Sequence, residues 1–158
     1  MNSVNATRRT LVAASFGAAV LGITGLARAQ RLPEVTVYKD PACDCCGEWV
    51  KHMRANGFKV ETHEVGDLGR YRQKYGVPEA LASCHTANVG GYAIEGHVPA
   101  GDIKRLLKER PKAAGLAVPG MPQDAPGMDQ GKGEPYDVLL FNTDGRYKVY
   151  QHYGPKRL

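Results

Sequence analysis

No dense run of lysine and arginine with interleaved aromatics occurs in the sequence, which argues against nucleic-acid binding. Internal repeats are absent, as is any composition shift that would mark a second domain. The one long apolar run, Leu11 to Ala27, is slightly short for a membrane span. Cysteine is scarce, with four in 158 residues, and three of the four are crowded into one stretch. An even count in an exported chain reads by default as a disulfide framework. The crowding is what that default has to explain.

Export is the reading of the first 29 residues. Met1 to Arg9 is polar and basic, the apolar run follows, and Ala27-Arg28-Ala29 fits the small-x-small cleavage rule, leaving Gln30 as the new N-terminus. Thr7-Arg8-Arg9-Thr10-Leu11 matches the twin-arginine export signal in part; a general secretory signal and a retained anchor helix are the alternatives. Residues 1–29 are thus expected to be a signal peptide and residues 30–158 one domain, with no membrane span after cleavage. The leader carries Arg8, Arg9 and Arg28 and no acid, so more than half of the +5 net charge leaves with it. The basic pI therefore says little about partners.

The rest of the chain is organised around Val35 to Met53. Val35-Thr36-Val37-Tyr38 alternates as a strand and stops at Lys39-Asp40-Pro41. Cys43, Cys45 and Cys46 follow at once, and Cys46, Trp49, Val50 and Met53 then recur at helical spacing. Asn56-Gly57 is a left-handed helix stop. Phe58 to Val65 alternates as a second strand, and Gly66 to Tyr75 reads as a polar helix closed by Gly76. Asn88 to Ile94 reads as a third strand interrupted by Gly90-Gly91. Val98 to Asp102 starts a helix that ends at Arg110-Pro111. A long loop rich in Gly and Pro runs through Met121 and Met128, and loops of this length in compact domains are functional or disordered. Tyr136–Phe141 and Tyr147–His152 form a hairpin around Asn142-Thr143-Asp144-Gly145. The expected order is β-α-β-α-β-α-β-β, an α/β domain with three thiols at the first strand-to-helix junction.

That junction is where backbone N–H groups and the helix dipole stabilise thiolates. Cys43 and Cys46 have C-x-x-C spacing, the redox arrangement of thioredoxin-like proteins. A third thiol inside the pair, Cys45, invites exchange that would scramble the couple. A vicinal Cys45–Cys46 bridge is strained, although a bridge from Cys84 to any of the three stays open. Metal binding fits better. Four thiolates from Cys43, Cys45, Cys46 and Cys84 suffice for tetrahedral zinc, yet zinc ligands are usually separated by two to four residues. Closely packed thiols bridge several metals more easily than they chelate one. Soft thiolate and thioether ligands favour Cu(I), and Met121 and Met128 add thioethers in the loop. Copper is preferred and zinc is the alternative.

Four motifs in order carry a resemblance: Cys43-Asp44-Cys45-Cys46-Gly47, Ser83-Cys84-His85-Thr86-Ala87, Gly91 through Pro99, and Gly120-Met121-Pro122 through Pro126-Gly127-Met128. Together they resemble the exported CopG-type copper-resistance proteins, from about Val35 to Tyr153. The resemblance implies a thioredoxin-like fold and a copper site on the four cysteines, polynuclear and sulfur-bridged. It also implies a periplasmic role in copper resistance, with copper redox chemistry and other copper-handling proteins as partners. Beside it stand a thiol–disulfide oxidoreductase using Cys43 and Cys46, and a zinc- or disulfide-stabilised binding domain.

Among the remaining candidates, His85 is expected near the metal because Cys84 holds it there, and imidazole suits copper. His97 divides between helix capping or packing and ligation. Trp49 and Met53 share the Cys46 face of the helix and read as core, forming an apolar wall beside the site. His52 and His63 read as surface residues. Met121 and Met128 are thioether ligands or a lid.

Overall fold

Asp40 turns the chain out of the first strand: its carboxylate accepts the Ala42 N–H at 2.8 Å and its carbonyl accepts the Cys43 N–H at 3.1 Å. This side-chain-to-backbone turn joins β1 (Val35–Lys39) to helix α1 (Asp44–Ala55), and Cys43 is the N-cap residue. The computed structural model describes residues 31–128 and 131–155; the expected signal peptide lies outside them. The helix starts two residues earlier than its apolar spacing suggests, so Cys45 and Cys46 lie inside its first turn. It ends at Asn56, followed by Gly57 at φ +87°.

The remaining elements are β2 (Val60–Glu64), α2 (Leu68–Tyr75), a 3₁₀ turn at Glu79–Leu81, β3 (His85–Val89), β4 (Tyr92–Glu95), α3 (Ala100–Glu109), β5 (Gly115–Ala117), β6 (Tyr136–Phe141) and β7 (Tyr147–Tyr153). They build one mixed α/β domain on a seven-stranded sheet of order β2-β1-β3-β4-β5-β6-β7. The β1–β2 and β4–β5 pairs are parallel and the other four antiparallel. No helix among the described residues is long and apolar enough to cross a membrane.

Two expectations need correcting. The interrupted strand Asn88–Ile94 is a hairpin: Gly90 and Gly91 have φ of +57° and +91°, the left-handed pair that a two-residue hairpin turn demands. And the Gly/Pro-rich loop contains a strand, β5, in which a side chain on Gly115 would strike the Ala93 carbonyl. The observed order is therefore β-α-β-α-β-β-α-β-β-β.

Strand alternation splits the interior. Val35 and Val37 of β1, Ala87 and Val89 of β3 and Ile94 of β4 face Trp49, Val50 and Met53 of α1 and Ile103 and Leu106 of α3. Ala93, Ala117 and Phe141 face the other way, with Val77 and Leu81 behind α2. His85 shares the parity of Ala87 and Val89, so it enters the α1 side. Thr86 and Glu95 enter the α2 side. Both sides converge on the residues just ahead of β3.

Candidate metal centre

In antiparallel register Lys39 lies opposite His85, which sets Cys84 beside the turn from β1 into α1. The four cysteines, 38 residues apart at the closest crossing, thereby share one place. Their sulfurs all lie within 4.8 Å of one another. Cys43 and Cys46 are joined in a disulfide, and Cys45 and Cys84 are free thiols. The Cys45 sulfur is 3.5 Å from that of Cys43, the approach that thiol–disulfide exchange requires. Cys46 is fully buried; the other three are half-buried.

A second donor group overlaps the first at Cys84. The Cys84 sulfur is 3.0 Å from His97 Nε2 and 3.5 Å from His85 Nδ1, and ligand atoms of the three residues lie within 4.8 Å of one another. His97 Nδ1 is 2.7 Å from the Pro126 carbonyl, which can only accept, so Nδ1 carries the hydrogen. In the neutral ring Nε2 then accepts the Cys84 S–H, and His85 Nδ1 is the second ring nitrogen that faces the sulfur. His85 Nε2 is fully buried with no hydrogen-bond partner. An unsatisfied buried ring nitrogen costs on the order of 1–3 kcal/mol, while Nδ1 is the nitrogen placed to ligate an ion beside Cys84. Burial, then the neighbouring His97, hold the His85 imidazole well below its usual pKa, against a weaker opposing contact from the Gly96 backbone. A neutral ring is the form that ligates.

Burial, then the Cys45 charge, push the Cys84 thiol up to about 12, against a lowering contact from the Ser83 hydroxyl. Without a cation Cys84 is a thiol. At about pH 8 it should alkylate with iodoacetamide on the order of a hundredfold more slowly than an unburied cysteine. Its rate should keep climbing beyond about pH 10. Equal labelling of Cys45 and Cys84, read by peptide mass spectrometry, would contradict this.

Apolar and hydrogen-bonded walls fix the group. Trp49 is fully buried, donates to the Val98 carbonyl at 2.9 Å and lies with its ring centroid 4.4 Å from that of His85. The loop folds against the start of α1: at Gly127 an added side chain would meet the Trp49 backbone nitrogen at 2.6 Å and the Cys45 carbonyl at 3.1 Å. Met128, half-buried, is the next residue along that packed segment. Met121 is 53% exposed and lines a groove of about 590 Å³ with Tyr136, Tyr147 and Val149, where no cysteine lies. The two methionines sit in different surroundings.

On the α2 side Glu95 is fully buried and accepts from Thr86 Oγ1 at 2.6 Å, the Ser83 N–H at 2.7 Å and Arg72 Nε at 3.0 Å. Arg72 also donates to the Ser83 carbonyl at 2.7 Å. Both backbone groups of Ser83 are thus clamped, one residue before Cys84. Burial raises the Glu95 carboxyl above its usual range despite these donors. Neither Glu95 nor Arg72 is a residue that the sequence reading put at the site. His52, read as a surface residue, is half-buried and accepts the Ala100 N–H at 3.1 Å at the start of α3. His63 is also half-buried, stacked on Tyr38 with 5.3 Å between centroids.

Comparison with known proteins follows this geometry. Residues 81–128 match the family described as protein of unknown function DUF411. Two solved structures of copper resistance protein CopG, Form 1 and Form 2, superpose with a TM-score of 0.73 and 42% sequence identity. Each match covers 78% of this chain and 99% of the other. No curated protein sequence matches.

Proposed function

Because the chain belongs to the family of copper resistance protein CopG, we propose that it binds Cu(I) through the thiolates of Cys43, Cys45, Cys46 and Cys84, in a polynuclear, sulfur-bridged site. The carrying observation is that four sulfurs lie within 4.8 Å of one another on a scaffold that supplies them from two elements. Adjacent Cys45 and Cys46 are poorly spaced to chelate one zinc and well spaced to bridge several soft ions. With two of the sulfurs in a disulfide, reduction has to precede loading. The Trp49 side and the loop against α1 restrict water around the sulfurs, which suits Cu(I). His85, and Met128 from the packed loop segment, stand as auxiliary ligands; Met121 would need the loop to move. The task is copper resistance by sequestration, transfer or redox conversion in the periplasm, with other copper-handling proteins as partners. The export-signal pattern read in the sequence of residues 1–29 supports that location.

We read the β2-β1-β3-β4 half of the sheet with its three helices as thioredoxin-like; the strand order and the C-x-x-C pair at the start of α1 support this. The same pair favours a second reading, a thiol–disulfide oxidoreductase using Cys43 and Cys46. Metal analysis separates them. Protein purified reduced and without oxygen, after growth with copper and zinc, should hold more than one copper per chain and show no titratable thiols. A single tightly held zinc would sink the copper reading. Little metal, with thiols that cycle reversibly, would favour the oxidoreductase.

A further inference from the structure

Joining Cys43 to Cys46 removes two donors from the sulfur group but none from the group at Cys84, His85 and His97. We infer that the disulfide form keeps a separate mononuclear site for a divalent ion, made by the Cys84 thiolate and the His85 and His97 imidazoles. This deepens the copper reading above and draws its physiological sense from it.

Three observations carry the assignment. The donor atoms are already gathered within 4.8 Å. His85 is fully buried, flanked by the Trp49 and His97 rings at 4.4 and 5.1 Å between centroids, and turns Nδ1 toward the Cys84 sulfur at 3.5 Å. The His97 ring is pinned by the Pro126 carbonyl, the outer hydrogen bond that ligating histidines use to fix their tautomer. One thiolate with two imidazoles is harder than four thiolates, and imidazole suits Cu(II) and Zn(II) where thiolate clusters suit Cu(I). The pocket therefore changes its preferred metal with the state of one disulfide. Reduced, it offers four sulfurs. Oxidised, it offers a nitrogen-rich remainder pivoting on the shared Cys84.

The test uses the full chain with Cys45→Ser, which leaves Cys84 as the one free thiol and prevents the disulfide from shuffling. Thiol counting first verifies the Cys43–Cys46 bond. Co(II) is then titrated in without reductant, as a spectroscopic stand-in that does not oxidise thiols, followed by Zn(II) in competition. The expected result is one Co(II) per chain with a sulfur-to-cobalt charge-transfer band, displaced by one Zn(II), and protection of Cys84 from alkylation. His97→Gln and His85→Gln, checked for folding by circular dichroism, should each weaken binding by at least about tenfold, since outer partners of ligands alone are worth that much. No bound Co(II), binding that leaves Cys84 open to alkylation, or binding indifferent to both histidine variants would overturn the assignment. Copper content of the reduced wild-type protein is read separately, so failure of the Cu(I) reading and of this site are told apart.

Discussion

Cys84→Ser is expected to drop the copper content of reduced protein from several ions per chain to at most one. Cys43, Cys45 and Cys46 all come from the cap and first turn of α1, and three sulfurs on one helical turn approach an ion from one side. Cys84 comes from the opposite direction, ahead of β3, and closes the group. It is also the one residue common to both donor groups. The substitution should spare the fold, because Cys84 is half-buried and serine keeps a similar shape. Ligand linkage gives a second readout. Copper at about a hundred times its dissociation constant stabilises the native state by about 2.7 kcal/mol. For a domain of this size that is a rise of roughly 10 °C in Tm. Cys84→Ser should lose most of the rise while the metal-free Tm moves by a few degrees at most. An unchanged copper count in the variant would mean that the α1 cysteines hold the metal alone.

The residues that the chain order makes neighbours are legible in the sequence. Cys43, Cys45 and Cys46 sit within four positions, so a strand-to-helix junction brings them together whatever the fold, and His85 follows Cys84 directly. His97 was harder. Its approach to Cys84 depends on β3 and β4 folding back on each other, where the Gly96 N–H pairs with the His85 carbonyl at 2.9 Å. Taking Gly90-Gly91 as an interruption within one strand concealed that register, although two glycines between alternating runs are a hairpin signal. Strand β5 left no pattern because three wholly buried residues cannot alternate.

Arg72 and Glu95 had no local signature at all. Arg72 lies in a polar helix with no buried residue, and Glu95 ends a short strand. Their meeting exists only once α2 packs across β1 and β3 and Arg72 reaches the end of β4. Yet this pair determines how Cys84 is presented, because it holds Ser83 from both sides. The sulfur and imidazole groups occupy one side of the sheet and the carboxylate–guanidinium clamp the other. The Ser83-Cys84-His85 segment connects them. The ligands come from readable motifs, and their rigidity comes from a pair that no motif records.

Glu95→Ala is accordingly expected to destabilise the metal-free protein by about 3–5 kcal/mol, the range for breaking a buried ion pair by removing one partner. The loss leaves Arg72, 16% exposed, with an uncompensated charge, and strips the Thr86 hydroxyl and the Ser83 N–H of their acceptor. Glu95→Gln keeps one carbonyl oxygen but turns an NH₂ group on a donor, so its cost should fall to about 1–3 kcal/mol. The pH dependence carries a definite sign. Burial raises the Glu95 pKa in the folded state from an ordinary 4.5, so the native state holds this proton more tightly than the unfolded chain does. Its stabilising contribution is fully present below that ordinary value and is lost as pH rises through the raised one. Urea unfolding from about pH 4 upward should therefore show a component that weakens with rising pH in the wild type and is absent in Glu95→Gln. A loss below about 1 kcal/mol in Glu95→Ala would show that the clamp is dispensable to the fold. Cys84 would then have to be positioned by the His97 contact and the packed loop alone.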